Sequence, residues 1–405
     1  MKRIKLAVIS HALVQDVCQK RWKVLAEHYP VDVALIVPAV WRSRWFGREV
    51  VFRQRLIKRG HFNVRPYPTT TTRYWGKYLF RSLDVGLRDI RPDVIYVIQE
   101  EMLWIHQQMI FLRQRDAPQA RMLFFSMNAL GVSQRRWDQR WRWNRVRKNY
   151  DAALCHYPGG LKSLKDAGFD KPVFIQTQIG VDEELYKPVD DLRASMRRHL
   201  GIQDSFVIGY AGRLTRDKGL DILLEAVTSI SGRWKLLLIG NGDYRQEIQD
   251  FFKKRGWANR VIFVDAVGQG DVAPYLRAMD CFVIGSRTRP FWVDTFPNAL
   301  VQAMACGVPA IGSDSGAIPF IMQDAGTVVP EGRPVDLAEA LRDYMQNDQK
   351  RKKAAQKARE RAVQLAGMQA LSRDFYDILG QVMTGDFRKD LENHDARKAW
   401  TGSAI

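Results

Sequence analysis

The segment Asp294-Thr295-Phe296-Pro297-Asn298-Ala299-Leu300-Val301-Gln302-Ala303-Met304-Ala305-Cys306-Gly307-Val308-Pro309 sets out a tight turn, an amphipathic helix, a glycine stop and the approach to a short apolar strand. Asp294 stands just before the helix, and Gln302, eight positions later, faces the same side. A helix N-terminus offers unpaired N–H groups and the positive end of a dipole, a setting suited to a phosphate or a sugar hydroxyl.

Working outward, short apolar runs alternate with helical patterns along the chain, which argues for α/β architecture with parallel sheets. In the first half the strands are expected at Leu6–Ser10, Val31–Val37, Val94–Ile98, Met122–Ser126 and Ala152–Leu154, with helices at Val14–His28, Tyr74–Arg88 and Leu103–Arg115. In the second half strands are expected at Phe206–Tyr210, Trp234–Ile239, Val261–Val264, Cys281–Ile284 and Ala310–Gly312. The helices there are Asp191–Leu200, Gly219–Ile230, Tyr244–Arg255, Val272–Ala278, Ala299–Ala305 and Leu337–Asn347, followed by Asp348–Leu365 and Ser372–Met383. Two successive doubly wound units result, with the first pattern ending near Gly180-Val181-Asp182. The expected domains are residues 1–185, residues 186–370, and a C-terminal helix in 371–405 that packs back on the first domain and ends in a polar tail.

The 405 residues suffice for two domains, and 46% hydrophobic with 26% charged residues is the balance of a soluble globular protein. No apolar run is long enough for a transmembrane helix, and Met1-Lys2-Arg3-Ile4-Lys5-Leu6-Ala7-Val8-Ile9-Ser10 reads as a first buried strand rather than a signal peptide. The four cysteines, Cys18, Cys155, Cys281 and Cys306, form no metal-ligand spacing, so reduced thiols and no metal site are expected. The net charge of +19 points to an anionic partner.

The first strand of the second unit runs into Gly212-Arg213-Leu214-Thr215-Arg216-Asp217-Lys218-Gly219. Ligands of open α/β sheets bind outside the carboxyl ends of the strands, so Arg213 and Lys218 are placed to neutralise a diphosphate. Gly240-Asn241-Gly242 and Ser286-Arg287 end strands on the same rim. Taken in order with Gln178-Ile179-Gly180-Val181-Asp182, the Asp294–Pro309 segment and Ser313-Asp314-Ser315-Gly316-Ala317-Ile318-Pro319, these motifs resemble glycosyltransferase family four. The resemblance is strongest from about 175 to 332.

It implies a GT-B fold, two Rossmann-like doubly wound domains facing a central cleft, and a retaining, metal-independent enzyme that needs no cofactor beyond its nucleotide-sugar donor. Arg213 and Lys218 would hold the donor diphosphate, with Gly212, Gly240, Ser286 and Arg287 around it. Asp294 falls where the family has the first Glu of its E-x7-E pair, which accepts from donor-sugar hydroxyls. Backbone N–H groups within the segment Thr295-Phe296-Pro297-Asn298-Ala299-Leu300 would contact sugar or phosphate. Gln302 falls on the second Glu, which accepts from the ribose hydroxyls. Both anchors depart from the pattern: Asp294 keeps the charge on a shorter arm, and Gln302 loses it. In the first domain Asn128 stands where many members carry a His, and is expected to donate to the donor sugar. His11 and Glu100, after the first and third strands, are acceptor-side candidates, with contact to phosphate or a capping or packing role equally open for His11, whereas Glu101 is read as solvated.

Twelve basic residues between Trp41 and Arg88 face only Glu49 and Asp84, and a second cluster runs from Arg135 to Lys148. Arg136, Trp137, Arg140 and Trp141 interleave cations with rings one turn apart, which suits an anionic membrane surface. A core-packed Trp pair with a solvated basic face fits the same residues. Nucleic acid is set aside, because no known binding module accompanies the basic segments. The expected protein is a cytoplasmic enzyme, peripheral on the inner membrane face, that moves sugar to a lipid-linked or polysaccharide acceptor in surface-polysaccharide or glycolipid assembly. The alternative is a non-catalytic GT-B protein that binds a nucleotide sugar or a partner.

Overall fold

The computed structural model describes residues 2–45, 48–71, 78–127, 136–290 and 292–387, with the side chains at 43–45 and 48 left aside. The chain divides into two compact units, residues 1–180 with 368–405 and residues 181–367.

In the first unit the strand order is Val173–Ile175, Ala152–Cys155, Arg121–Ser126, Val94–Ile98, Ile4–Ile9, Val31–Pro38, Phe62–Tyr67 and Ile57–Arg59. All neighbours pair in parallel except the last two. The central runs are apolar at successive positions because both faces of a parallel sheet are covered. Leu6, Val8, Val33, Leu35, Ile95, Val97, Leu123 and Phe125 are all fully buried. A separate antiparallel pair, Val40–Trp45 with Arg48–Arg53, stands beside this sheet in sequence.

The helix Met368–Thr384 belongs to this unit and packs on Asp16–His28. Phe375 meets Trp22 edge-on at 5.3 Å, and the Arg21 guanidinium lies 4.6 Å from the Trp22 ring centroid and 5.4 Å from that of Phe375. Arg21 is buried, and its fork is filled by Thr177 O at 2.9 Å, Gln178 O at 3.0 Å and Gln176 Oε1 at 2.9 Å. Burial lowers its pKa to about 10, so it stays charged and ties the helix pair to the chain that leaves the unit.

The second unit is a six-stranded, wholly parallel sheet in the order Val261–Val264, Trp234–Ile239, Phe206–Ala211, Cys281–Ile284, Ala310–Ser313 and Thr327–Val329. The strands step outward from Phe206–Ala211 on one side and from Cys281–Ile284 on the other. The switch point of a doubly wound sheet therefore lies between these two strands.

One expected helix is corrected. Within Tyr74–Arg88 the structure has helix only from Leu83, running to Ile90, while residues 74–77 lie outside the described residues. Phe80 forms an antiparallel bridge with Thr69, and Ser82 takes a left-handed φ of 57°, so the chain enters the helix from an extended segment. Among the described residues no helix is long and apolar enough to cross a membrane.

The first unit holds three histidines in largely desolvated positions. Burial lowers His11 to about 4 against the Gln99 hydrogen bond, lowers His106 to about 4, and lowers His156 to about 3. His106 Nδ1 lies 2.7 Å from the Tyr150 hydroxyl. In the unfolded chain all three take up protons near 6.5, so below that pH the unfolded state binds more protons and stability falls. Urea unfolding should therefore show a lower midpoint at about pH 5.5 than at about pH 7.5, a range above most carboxylate titration. A midpoint that stays level over that range would contradict neutral burial of these rings.

Candidate donor site

The carboxyl ends of the second sheet bring its loops into backbone contact. A Cβ on Gly219, whose φ is +70°, would sit 1.8 Å from Gly285 O, and one on Gly240, φ +132°, would sit 2.0 Å from Gly212 O. The loops after Phe206–Ala211, Trp234–Ile239 and Cys281–Ile284 are thus locked together with no room for a side chain between them. Gly212 N donates to Ile239 O at 2.9 Å, and Arg287 N donates to Asp217 O at 2.9 Å.

This packing sets Lys218, in the short turn Arg216–Lys218 just before the helix Leu220–Thr228, against Asp294. The Lys218 ammonium lies 2.7 Å from both carboxylate oxygens of Asp294 and 4.6 Å from the centroid of the Trp292 ring. The Ser286 hydroxyl donates to Asp294 Oδ2. Asp294 and Ser286 are buried, and Lys218 is largely so. Burial lowers the Lys218 pKa, while the charge of Asp294 and its hydrogen bond oppose that shift. The backbone of Asp294 is held too, its carbonyl accepting from Ala317 N at 2.9 Å.

Other expected residues fall in different places. Arg213 is exposed and makes no ion pair among the described residues, while its carbonyl accepts from the Tyr210 hydroxyl at 2.7 Å. Arg287 is turned to Asp221 at 2.7 Å. Gln302 is buried and carries no side-chain hydrogen bond to another described residue. The helix after Asp294 runs Asn298–Ala305. The N–H groups of Asn298 and Ala299 have no acceptor among the described residues, but that of Leu300 is spent on Pro297 O at 3.0 Å, which removes Leu300 from the N–H donors expected here. Thr295 is half-buried, whereas Phe296, Pro297 and Leu300 are buried, so their side chains serve packing. Trp292 was not singled out by spacing; an aromatic residue two positions before the acid was the available signal.

In the first unit the imidazole of His11 lies beyond the strand Ile4–Ile9, with Nδ1 2.5 Å from the Gln99 amide and the ring 4.9 Å from that of Trp41. Gln99, buried at the end of Val94–Ile98, is therefore the residue that fixes His11. Glu100 is exposed, and Glu101 is buried rather than solvated, because the turn into Trp104–Asp116 carries it inward. Asn128 lies outside the described residues. Among the described residues no group of three or more His, Cys, Asp or Glu is placed to hold a metal ion.

The helix Trp137–Asn149 settles which tryptophan packs inward. Trp143 is buried and donates from Nε1 to Ala167 O at 2.8 Å, whereas Trp137 is 74% exposed and Trp141 47% exposed. The core-packed Trp pair is thereby excluded for 137 and 141. Trp141 lies 6.5 Å from the exposed Trp104 ring, the Arg145 guanidinium is 5.2 Å from the Trp141 centroid, and Arg136 and Arg140 are exposed alongside.

Residues 193–361 match the family model described as glycosyl transferases group 1. The chain is 32% identical over 164 residues to a GDP-mannose-dependent alpha-(1-6)-phosphatidylinositol monomannoside mannosyltransferase of Mycolicibacterium smegmatis, a match covering 39% of this chain and 43% of that protein. It is 25% identical over 235 residues to the lipopolysaccharide core biosynthesis glycosyltransferase LpsE of Rhizobium meliloti, covering 57% of this chain and 65% of the relative. Less than two thirds of either relative's length is thus matched. Among solved structures, Anabaena HepE in complex with UDP superposes with a TM-score of 0.70 at 16% identity over 93% of this chain and 100% of that one. The fold is GT-B, built from two Rossmann-like units.

The loop contact can be tested directly. Gly240→Ala is expected to cost about 2 kcal/mol or more in urea unfolding, because the methyl group has no space and the backbone angle is strained. Gly270→Ala, with nothing within 4 Å, should stay within about 0.5 kcal/mol of the parent. Equal effects would remove the loop contact as a constraint.

Proposed function

We propose that the chain is a retaining, metal-independent glycosyltransferase that moves a sugar from a nucleotide-sugar donor to a lipid-linked or polysaccharide acceptor at the cytoplasmic membrane face. The observation that carries this reading is the convergence of Lys218, Asp294 and Ser286 on the carboxyl rim of the second sheet, with the exposed Arg213 leaving the same rim. The GDP-mannose dependence of the mycobacterial relative and the UDP held by HepE support a nucleotide donor, and the phosphatidylinositol and lipopolysaccharide names support a glycolipid acceptor.

In this reading Arg213 and Lys218 neutralise the diphosphate as the bond from the anomeric carbon to the phosphate oxygen breaks. The N–H groups of Asn298 and Ala299, without an acceptor among the described residues, add fixed partial charge beside it. The acceptor oxygen bonds to the anomeric carbon on the face the phosphate leaves, and its proton passes to the leaving phosphate oxygen. Configuration is retained, and no protein nucleophile takes part. Gln302 would accept from one ribose hydroxyl where a carboxylate would accept from two.

Calorimetric titration with UDP, GDP and their sugar conjugates, followed by transfer to short lipid-linked glycans, tests the reading. Arg213→Ala is expected to weaken nucleotide binding roughly tenfold or more, the scale of a lost charge-assisted contact. Tight donor binding with neither transfer nor hydrolysis would leave a binding protein instead of an enzyme. An inverted anomeric centre in the product would remove the retaining mechanism.

The exposed Arg136, Trp137, Arg140 and Trp141 face supports docking on anionic lipid, where rings sit at the headgroup boundary and guanidinium groups meet phosphates. Replacing all four by Gln or Ala should reduce co-sedimentation with phosphatidylglycerol vesicles by roughly tenfold or more, and raised salt should do the same to the parent chain. Unchanged binding would discard this face as the membrane contact.

A further inference from the structure

Lys218 is paired with a carboxylate of its own unit. Its ammonium lies 2.7 Å from each Asp294 oxygen, and the two side chains are only 13% and 10% exposed. The hydroxyl of fully buried Ser286 gives Asp294 its other hydrogen bond. Arg213 on the same rim is exposed and unpaired among the described residues. A diphosphate that meets this rim finds one cation open to it and one that must leave a carboxylate.

We propose that Asp294 sets the preference of the site for an intact nucleotide sugar over the free nucleoside diphosphate, by holding Lys218 until a sugar hydroxyl takes its place. The inference rests on the donor reading above. A free diphosphate that draws Lys218 away leaves Asp294 with Ser286 alone, and a buried carboxylate short of donors is costly. An intact donor brings hydroxyl groups to that carboxylate, so Lys218 can turn to the phosphates while Asp294 keeps its donors. After transfer the sugar has gone, Asp294 reclaims Lys218, and the nucleoside diphosphate is held by one cation fewer. The same pair thus weakens product binding relative to donor binding.

Two substitutions move this balance in opposite directions. Asp294→Asn removes the charge that competes for Lys218 and should tighten free diphosphate roughly tenfold, while binding of the intact donor stays level or weakens. Ser286→Ala strips the released carboxylate of its remaining donor and should weaken free diphosphate more than the intact donor. The measurement is calorimetric titration, without acceptor, of UDP against UDP-glucose and of GDP against GDP-mannose, on parent and variants whose thermal unfolding remains cooperative. Parallel changes for diphosphate and sugar conjugate, in either variant, would overturn the proposal and leave the pair as a structural tie. Should Asp294→Asn fail to fold, Ser286→Ala decides alone by the ratio of its two affinities. A parent chain that binds none of these four ligands would overturn the donor reading itself, and the proposal with it.

Discussion

The close approach of the loop carrying Gly219 to the Gly285 carbonyl is the constraint on which the second unit's site depends. Parallel strands deliver their carboxyl ends to one rim, but they do not by themselves bring two loops within bonding distance. That needs backbone against backbone, and so glycine at the crossing. The turn Arg216–Lys218 ends on that contact, and its lysine reaches Asp294. The segment after Cys281–Ile284 carries Ser286 and Asp294, whose side chains meet each other and Lys218. The Arg287 N–H bond to Asp217 O and the Ala317 N–H bond to Asp294 O fasten both sides. The polar cluster is therefore a consequence of loop packing, and its geometry is as rigid as that packing.

What the sequence makes legible follows from how local the governing forces are. Val94–Ile98, Trp234–Ile239 and Cys281–Ile284 have the bounds read from their apolar runs, because inner parallel strands are covered on both faces, and the half-buried edge strand Val261–Val264 keeps its expected bounds as well. Phe62–Tyr67, Val173–Ile175 and Thr327–Val329 are short or lie toward sheet edges, and the pattern of Phe62-Asn63-Val64-Arg65 does not announce burial. The pair Val40–Trp45 and Arg48–Arg53 carries Arg42, Arg44, Arg48 and Arg53, so a reading for charge sees a basic run where the backbone sees two strands. In the site, Arg213, Lys218 and Asp294 were visible because each belongs to a local strand–turn–helix signal. The ion pair joining two of them spans 76 residues and depends on the loop contact, which no local pattern encodes.

The large positive charge divides in a way that composition conceals. Many arginines are structural. Arg21 fills a buried carbonyl cluster, Arg142 donates to Met102 O at 2.7 Å, and Arg193 with Arg197 closes on Asp280. Such forks satisfy several acceptors at once and are consumed by the fold. The cations open to a partner are a smaller set, and in the first unit they include those beside exposed rings on the helix Trp137–Asn149. A net charge of +19 taken alone does not separate the cations consumed by the fold from those left exposed.

A similar contrast separates the two cations on the rim of the second unit. A guanidinium is planar and directional, and that of Arg213 stands in solvent, where the proposed reading makes it the first contact for phosphate. An ammonium is a compact charge on a flexible stem, and it can exchange one anion for another without reorienting a fork. Lys218 is the cation that is buried, paired and lowered in pKa, which are the conditions under which the identity of its partner matters most. On the proposed donor reading, a lysine there and an arginine at 213 would let one charge recruit and the other discriminate. The reverse arrangement would leave a fixed fork against Asp294, with geometry too well satisfied to release it.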